Sequence, residues 1–397
     1  MKKIVVYGGA ILVMTLLQLA CSLDLKSKQI LAQEINDIAT TYAPDKRTAL
    51  FDIIVIKGKS EYILSGESNL PHAVDSLKAR LKANGIPFED NIELLPSAAL
   101  EGKTSALITI SVANLRSNPK HSAELATQAL LGTVVKVLKK EGNWYLVQTP
   151  DAYLAWVDAG GIHLMDEKAL AEWTSSEKII FTATYGHAVE TEENRQRVSD
   201  LVAGNILELL SVDKNFFTVR FPDGRQASVS RNEAMEYTSW ISNLNTDADA
   251  LIETAEALMG VPYLWGGTST KGVDCSGFTK TIYFLNGMVL PRDASQQVHT
   301  GKPVDSLSNY KVMEKGDLLF FGRKATDSTA EKVVHVGMWI GDHKFIHASD
   351  RVRISSVDKE DPAYDAYNVG RYLRSKRILN QEDGAILNVK KANEVKG

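Results

Sequence analysis

A cysteine and two histidines in the last third of the chain are suited to thiol chemistry. Cys275 follows Asp274, and His335 and His347 each lie in an apolar segment typical of a β-strand. A thiolate is the reactive form of cysteine, an imidazole can accept the thiol proton, and a second imidazole can orient the first. We therefore expect nucleophilic catalysis by Cys275, with His335 as base and His347 as orienting residue, if the three side chains meet.

A helix is predicted to begin at Cys275. Asp274 is a favourable N-cap, Phe278 and Ile282 fall on one face, and Gly287 is a typical helix end. The first N–H groups of a helix have no partner within it and lie at the positive end of its dipole. We expect this end to favour the Cys275 thiolate and to direct the Cys275 N–H at an oxyanion.

The two histidines share a face only in particular strand registers. Gly341-Asp342 between them predicts a hairpin turn. A two-residue loop there would pair Val336 with His347 and place His335 on the opposite face. A three-residue loop or a bulge would put both imidazoles on one face. The proposed chemistry requires one of these two irregularities.

Composition indicates an ordinary multidomain globular chain. It has 397 residues, of which 44% are hydrophobic and 24% charged, with a formal net charge of -4. This charge gives no support for a nucleic-acid partner. We expect a monomer with no cofactor. We also predict no metal site because no Cys-x-x-Cys pair occurs, although Cys275, His335, His347 and an acid stay open as zinc ligands.

The N-terminus has the features of a targeting signal. Lys2 and Lys3 precede an apolar run of 17 residues from Ile4 to Ala20, and Leu19-Ala20-Cys21 is similar to a lipoprotein cleavage box. We expect residues 1–21 to be a signal peptide. Cys21 would then carry the lipid and hold the protein at the membrane, outside the cytoplasm, in the cell envelope. The alternative is an uncleaved signal anchor, for which the run is short against a bilayer of about 30 Å.

Residues 24–101 predict a small α+β unit, and an internal repeat follows it. A shift of 72 residues aligns Asn143-Trp144-Tyr145 with Asn215-Phe216-Phe217 without a gap. Short strands separated by turn signals predict a small barrel in each copy. The pattern resembles the bacterial SH3-like module, with copies at 105–165 and 178–240. Such modules in envelope proteins commonly contact wall peptides.

Residues 247–379 resemble the NlpC-type cysteine peptidases, which have a papain-like α+β fold and hydrolyse cell-wall peptides. The matching segments are Pro262–Gly267, Asp274–Phe278, Leu290–Arg292, Lys315–Leu318, His335–Gly337 and Ile346–Ala348. The resemblance implies Cys275 as nucleophile, His335 as base, His347 as orienting residue and Tyr263 beside the oxyanion site. The expected fold is multidomain α+β, with a small N-terminal unit, two SH3-like barrels and a papain-like peptidase domain.

One departure from the family pattern points to the substrate. Arg292-Asp293-Ala294-Ser295 stands where many members have Arg-Thr-Ser. The acid resembles the dipeptidyl-peptidase VI branch, which also carries two SH3-like modules. Those enzymes cleave between γ-D-glutamate and the diamino acid of a peptidoglycan stem peptide with a free N-terminal L-alanine. The substrate-binding residues that we infer from this resemblance are Asp293, Asp274, Ser276, Trp265, Glu124 and Tyr153.

Other interpretations stay open from sequence alone. A carboxylate suits a buried ammonium, but Asp293 could also be only the N-cap of a helix starting near Ser295. The chain could be a wall-binding adaptor without activity. It could also be an acyltransferase, since an acyl-enzyme can be captured by an acceptor other than water.

Overall fold

The computed structural model describes residues 26–59 and 61–394. This part of the chain forms two compact units that divide between residues 99 and 100. None of its helices is long and apolar enough to cross a membrane. The predicted signal peptide and Cys21 lie outside the described residues.

The N-terminal unit packs helices against a three-stranded sheet of order β1-β2-β3, in which β2 and β3 are parallel. Its elements are α1 (residues 26–42), β1 (Phe51–Lys57), β2 (Tyr62–Ser68), α2 (Pro71–Ala83) and β3 (Phe88–Leu94). The apolar stripe of α2 is fully buried, and Leu31 and Ile38 of α1 join the same core. The 3.6-residue period of the apolar side chains is therefore the reason for this packing.

The second unit begins with a seven-stranded module of order β10-β4-β7-β8-β9-β5-β6. Its strands are β4 (Ser105–Ile108), β5 (Val112–Arg116), β6 (Leu125–Leu130), β7 (Val134–Glu141), β8 (Trp144–Gln148), β9 (Leu154–Asp158) and β10 (Ile162–Met165). Helix α3 (Glu167–Ser175) leads to the second module. Its strands are β11 (Lys178–Phe181), β12 (Tyr185–Val189), β13 (Arg197–Val202), β14 (Ile206–Val212), β15 (Phe216–Arg220), β16 (Gln226–Ser230) and β17 (Ala234–Glu236).

The two modules have the same architecture. The second has the order β17-β11-β14-β15-β16-β12-β13, which is the first order with each strand replaced by its counterpart in the repeat. Each module has one extra residue in the same strand, Leu138 in β7 and Leu210 in β14. These bulges are 72 residues apart, so the repeat predicted from the sequence extends to the irregularities of the ladder.

In the C-terminal part, helix α6 packs against a six-stranded antiparallel sheet of order β21-β26-β22-β23-β24-β25. Its helices are α4 (Tyr237–Asn243), α5 (Ala248–Glu256), α6 (Cys275–Leu285), α7 (Ala294–Gln297), α8 (Ala366–Gly370) and α9 (Val389–Glu394). Its strands are β18 (Thr268–Ser269), β19 (Gly272–Val273), β20 (Met288–Val289), β21 (Lys302–Asp305), β22 (Leu318–Arg323), β23 (Lys332–Gly341), β24 (Lys344–Ala348), β25 (Val352–Ser356), β26 (Tyr372–Arg377) and β27 (Leu387–Asn388).

Helix α6 is held against this sheet by its apolar face. Phe278 and Ile282 are fully buried in one cluster with Val336 of β23 and Ile346 of β24. Burial of each such side chain contributes about 2 kcal/mol. The packing brings the start of the helix to the middle of the strands that carry the two histidines. The multidomain α+β class predicted from the sequence is confirmed.

The hairpin of β23 and β24 contains a bulge. Gly341 pairs with Lys344, but Met338 pairs with Ile346, so β23 has one extra residue, Ile340. An extra residue reverses the face on which every earlier side chain of the strand lies. Of the two irregularities that would put both imidazoles on one face, the structure has the bulge.

The bulge places the two imidazoles on one side of the sheet. The turn consists of Asp342-His343, both with positive φ (48° and 60°), instead of the predicted Gly341-Asp342. A two-residue turn with both φ values positive matches the twist of a hairpin. With this turn and the bulge together, His335 and His347 lie on the same face.

Candidate active site

Cys275, the predicted nucleophile, is the first residue of α6. Asp274 is the N-cap, as predicted, and its Oδ1 accepts a hydrogen bond from the Gly277 N–H at 2.7 Å. A Cβ on Gly277 would lie 1.9 Å from the Gly267 carbonyl oxygen, so the loop can pack on this helix start only because residue 277 is glycine. The tight packing leaves Cys275 only 7% exposed.

Burial reverses the expected effect of the helix on the thiol. Removal from water and the nearby Asp274 carboxylate raise the pKa of Cys275 to about 11. The Val336 N–H and the Arg292 guanidinium act in the opposite direction but do not outweigh them. The surroundings of Cys275 therefore oppose the thiolate that the helix start was expected to favour, because desolvation and a negative neighbour exceed the helix contribution.

His335 and His347 form a hydrogen-bonded pair. His335 Nε2 lies 2.8 Å from His347 Nδ1, and His347 Nε2 lies 3.0 Å from Ser355 Oγ. Asp365 Oδ2 is 3.9 Å from the same His347 nitrogen. These contacts orient His335 and leave its Nδ1 for a second partner. Sequence reasoning missed Ser355 and Asp365, since neither lies in a recognisable motif.

The Cys275 side chain packs in one buried cluster with Val336, the residue that follows His335 in its strand. Burial is the main reason that the pKa of His335 is well below its usual value. The second reason is electrostatic, because a proton on His335 would be disfavoured beside His347. Burial also lowers the pKa of His347 to about 4. Both imidazoles are therefore neutral at neutral pH, which is the form that can accept a thiol proton.

Tyr263 lies near Cys275. Burial is the main cause that raises the pKa of the Tyr263 hydroxyl, and the Cys275 sulfur is the second cause.

We predict that iodoacetamide alkylates Cys275 slowly at pH 7 and faster as the pH rises. A thiol with a pKa of about 11 is ionised in about one molecule in ten thousand at pH 7. Its alkylation rate should therefore increase about tenfold per pH unit up to pH 10. The measurement uses Cys21→Ser protein, in which Cys275 is the only thiol. A rate that is constant from pH 5 to 8 would instead reveal a thiolate–imidazolium pair in the free enzyme.

Arg292 connects the segment after α6 to the start of the helix. Its side chain is 1% exposed, and Nη2 pairs with Asp274 Oδ2 while Nη1 donates to Asp274 Oδ1 and Ser276 Oγ, both at 3.1 Å. A buried bidentate pair of this kind fixes geometry strongly. We did not assign Arg292 a role from the sequence, although it ends the matching segment Leu290–Arg292.

Asp274 and Ser276 face this network and not an open cleft. Asp274 accepts hydrogen bonds at both oxygens, including one from the Gly266 N–H at 3.0 Å. Ser276 Oγ lies 3.2 Å from Asp274 Oδ1. Both side chains are buried. We predicted that these two residues bind the substrate. Because their side chains are buried, they would have to do so through backbone atoms.

The first SH3-like module supplies two side chains that contact predicted site residues of the peptidase part. Tyr153 Oη donates to Asp293 Oδ2 at 3.2 Å, and Glu124 Oε1 accepts from Trp265 Nε1 at 2.7 Å. Trp265 is 62% exposed, so its ring faces solvent and not a core. Asp293 is also the N-cap of α7, within a capping box. Both interpretations of Asp293 are therefore compatible with its position.

The module and the peptidase part pack closely at this point. Gly266 has φ +79°, and a Cβ there would lie 2.2 Å from the Leu125 carbonyl oxygen. Gln128 Oε1 accepts from the Thr268 N–H at 3.0 Å and from Ser269 Oγ at 3.0 Å. These buried contacts hold the loop carrying Trp265 against the module.

Comparison with known proteins identifies the family of the chain. Residues 260–371 match the NlpC/P60 family, and residues 111–163 match the bacterial SH3 domain. A γ-D-glutamyl-L-lysine dipeptidyl-peptidase of Bacillus cereus is 32% identical over 265 residues, which cover 64% of this chain and 76% of the relative. The chain belongs to the NlpC/P60 family. The recognition made from the sequence is confirmed, and the chain is a cysteine peptidase.

Two further similarities of this NlpC/P60 peptidase extend across the modules. Dipeptidyl-peptidase 6 of Lysinibacillus sphaericus is 27% identical and covers 66% of this chain and 94% of its own. The crystal structure of an NlpC/P60 family protein from Bacillus cereus covers 69% of this chain and 99% of its own, with 29% identity and a TM-score of 0.58. Both alignments are longer than the peptidase domain alone, so the similarity includes SH3-like sequence.

Proposed function

We propose that this NlpC/P60 peptidase cleaves the bond between γ-D-glutamate and the diamino acid of peptidoglycan stem peptides that have a free N-terminal L-alanine. The observation that carries the proposal is the contact of Tyr153 with Asp293, which joins an SH3-like module to the peptidase domain. Two relatives are dipeptidyl-peptidases, which supports removal of two residues from an N-terminus.

The free amine of the substrate would bind at this contact. An ammonium group donates three hydrogen bonds and needs acceptors with negative charge. The Asp293 carboxylate and the Tyr153 hydroxyl provide such acceptors. Glu124, which the Tyr153 module presents to Trp265, is the candidate for a second carboxylate. Asp293 follows Arg292, which is bonded to the N-cap of the Cys275 helix. A substrate held by its amine would therefore extend toward the thiol with a defined length.

The reaction would proceed through an acyl-enzyme. His335 accepts the proton of Cys275 as the sulfur adds to the γ-carbonyl carbon of the D-glutamate. The Cys275 N–H and the Tyr263 hydroxyl donate to the resulting oxyanion. The C–N bond then breaks, and His335 gives the proton to the leaving amine. Water, deprotonated by His335, adds to the thioester carbonyl. The C–S bond then breaks, the dipeptide leaves, and the proton returns from His335 to the Cys275 sulfur.

The resting charges support this order of events. A neutral thiol and a neutral imidazole are the two reactants needed for proton transfer when the substrate arrives. The His347 and Ser355 contacts hold the His335 ring in place during the transfer. In this proposal the SH3-like module also narrows access to the thiol, so that short unlinked peptides are cut in preference to polymeric wall.

The amine proposal predicts that N-acetylation of the substrate alanine lowers kcat/KM by about 100-fold, because the charge-assisted contact of the ammonium with the acceptors is lost. The measurement compares L-Ala-γ-D-Glu-diaminopimelate with its N-acetyl and N-methyl forms. The N-methyl peptide keeps its charge and should be cut at a rate close to that of the free peptide. Equal rates for all three peptides would refute amine recognition and leave the peptidase activity intact.

The same substrate class places the enzyme outside the cytoplasm. Two other relatives, a probable endopeptidase homologue of Haemophilus influenzae and a probable peptidoglycan endopeptidase of Bacillus subtilis, are consistent with action at the wall. Anchoring through a lipid on Cys21 is part of this proposal. Mass spectrometry of the membrane-extracted N-terminal peptide tests it, and an unmodified Cys21 would contradict it.

A further inference from the structure

Lys280 lies on the Cys275 helix and is buried against the first SH3-like module. Its Nζ pairs with Asp151 Oδ2, and the two side chains are only 14% and 6% exposed. Burial opposes ionisation of Asp151, but the Lys280 charge and the hydrogen bonds from Lys280, Thr149 and the backbone together outweigh it and hold the pKa of that carboxyl below its usual value. A buried pair is costly to form, so its geometry is closely determined by its surroundings.

Asp151 belongs to the tight turn that carries Tyr153. Thr149 Oγ1 donates to Asp151 Oδ1 at 2.7 Å, and the Thr149 N–H donates to the Tyr153 carbonyl at 3.0 Å. Ala152, which lies between Asp151 and Tyr153, has a left-handed φ of 64°. A short turn with these bonds moves as one body, so the position of Asp151 sets the position of the Tyr153 ring.

Lys280 also contacts the segment that carries Asp293. Its Nζ donates to the Leu290 carbonyl at 3.3 Å, and Leu290 is fully buried. The Gln297 side-chain amide donates to the Pro291 carbonyl at 2.9 Å, which limits movement of the next residues. One ammonium group therefore holds two separate segments, and the Tyr153–Asp293 hydrogen bond closes the ring between them.

We propose that Lys280 is a positioning residue for substrate specificity, which aligns Tyr153 with Asp293 so that the pair can accept the substrate amine. This inference rests on the proposed function. In this proposal Lys280 does not contact the substrate. Lys280 acts through its bonds to Asp151 and to the Leu290 carbonyl, and these bonds link the geometry of the amine site to the helix that carries the nucleophile.

The test is Lys280→Met, which keeps the apolar stem and removes the charged group. The expected result is a KM for L-Ala-γ-D-Glu-diaminopimelate about tenfold higher, with kcat within about twofold, because only uniform binding of the substrate is weakened. The preference for the free over the N-acetyl peptide should fall by a similar factor. Lys280→Arg, which keeps the charge, should recover most of both.

The matched control is Lys315→Met, which removes a lysine from an exposed ion pair with Asp249 in the same domain. It should change neither KM nor the preference. If Lys280→Met does not fold, Asp151→Asn is measured instead and should show the same KM effect. An unchanged KM and preference in the variant, or a lower kcat with a lower melting temperature that arginine does not rescue, would overturn the proposal.

The two proposals fail in different experiments. If wild-type enzyme cuts free and N-acetyl peptides equally fast, the amine function fails. If wild type discriminates and Lys280→Met discriminates as strongly, the function survives and the positioning role of Lys280 fails.

Discussion

Replacement of Cys275 by alanine is expected to lower kcat/KM by at least about 10⁴-fold, since no other group can form the acyl-enzyme. The side chain is small and sits at a helix start, so the fold should persist. Hydrolysis of L-Ala-γ-D-Glu-diaminopimelate, followed by separation of the products, gives the rate. Circular dichroism and the melting temperature give the control for folding.

Chemical inhibition separates the thiol mechanism from a metal mechanism. Iodoacetamide at high pH should abolish wild-type activity, and EDTA should leave it unchanged. Retention of more than about one per cent of activity in Cys275→Ala would place the nucleophile elsewhere. Loss with EDTA alone would favour the zinc interpretation of Cys275, His335 and His347.

Replacement of Arg292 by methionine should lower the free energy of unfolding by about 3–5 kcal/mol. The guanidinium is 1% exposed, and its loss leaves the Asp274 carboxylate buried without its cation. Denaturant unfolding of the full chain measures the change. Activity should fall as well, because Asp274 caps the helix that carries Cys275.

An exposed arginine provides the matched control for this prediction. Arg351 pairs with Asp350 at the surface, where the two side chains are 57% and 55% exposed. Arg351→Met should therefore change the unfolding free energy by less than about 1 kcal/mol. If Arg292→Met costs no more than Arg351→Met, the buried pair does not stabilise the helix start. The double variant Arg292→Met, Asp274→Asn should recover part of the loss, because the unpaired charge is gone.

The internal repeat was largely predictable from sequence because the positions of its strands and turns along the chain follow local patterns. The 72-residue shift aligns β8 with β15 and β9 with β16 residue for residue. Val147 and Val157 of the first core have Val219 and Val229 as counterparts, and all four are buried. Alternation along a strand and a glycine or asparagine at a turn are local properties, so they can be read without knowledge of distant contacts.

One boundary shows the precision of such local reasoning. Thr246 is a reasonable N-cap by residue type, but the structure uses Asp247, whose side chain accepts from the Ala250 N–H at 2.9 Å. Both residues can accept this bond, and the packing of α5 decides between them. Local patterns therefore establish that a helix exists more reliably than they establish its first residue.

The sequence by itself determined the nucleophile candidate, the two histidines, the helix cap at Asp274 and the tandem modules, because each depends on residue type and near-neighbour spacing. The tertiary structure decided the bulge at Ile340, the direction of the Cys275 pKa and the contact of Tyr153 with Asp293, residues 140 positions apart. Strand register, desolvation and long-range hydrogen bonds depend on what packs against a residue. That information is in no short window of the chain.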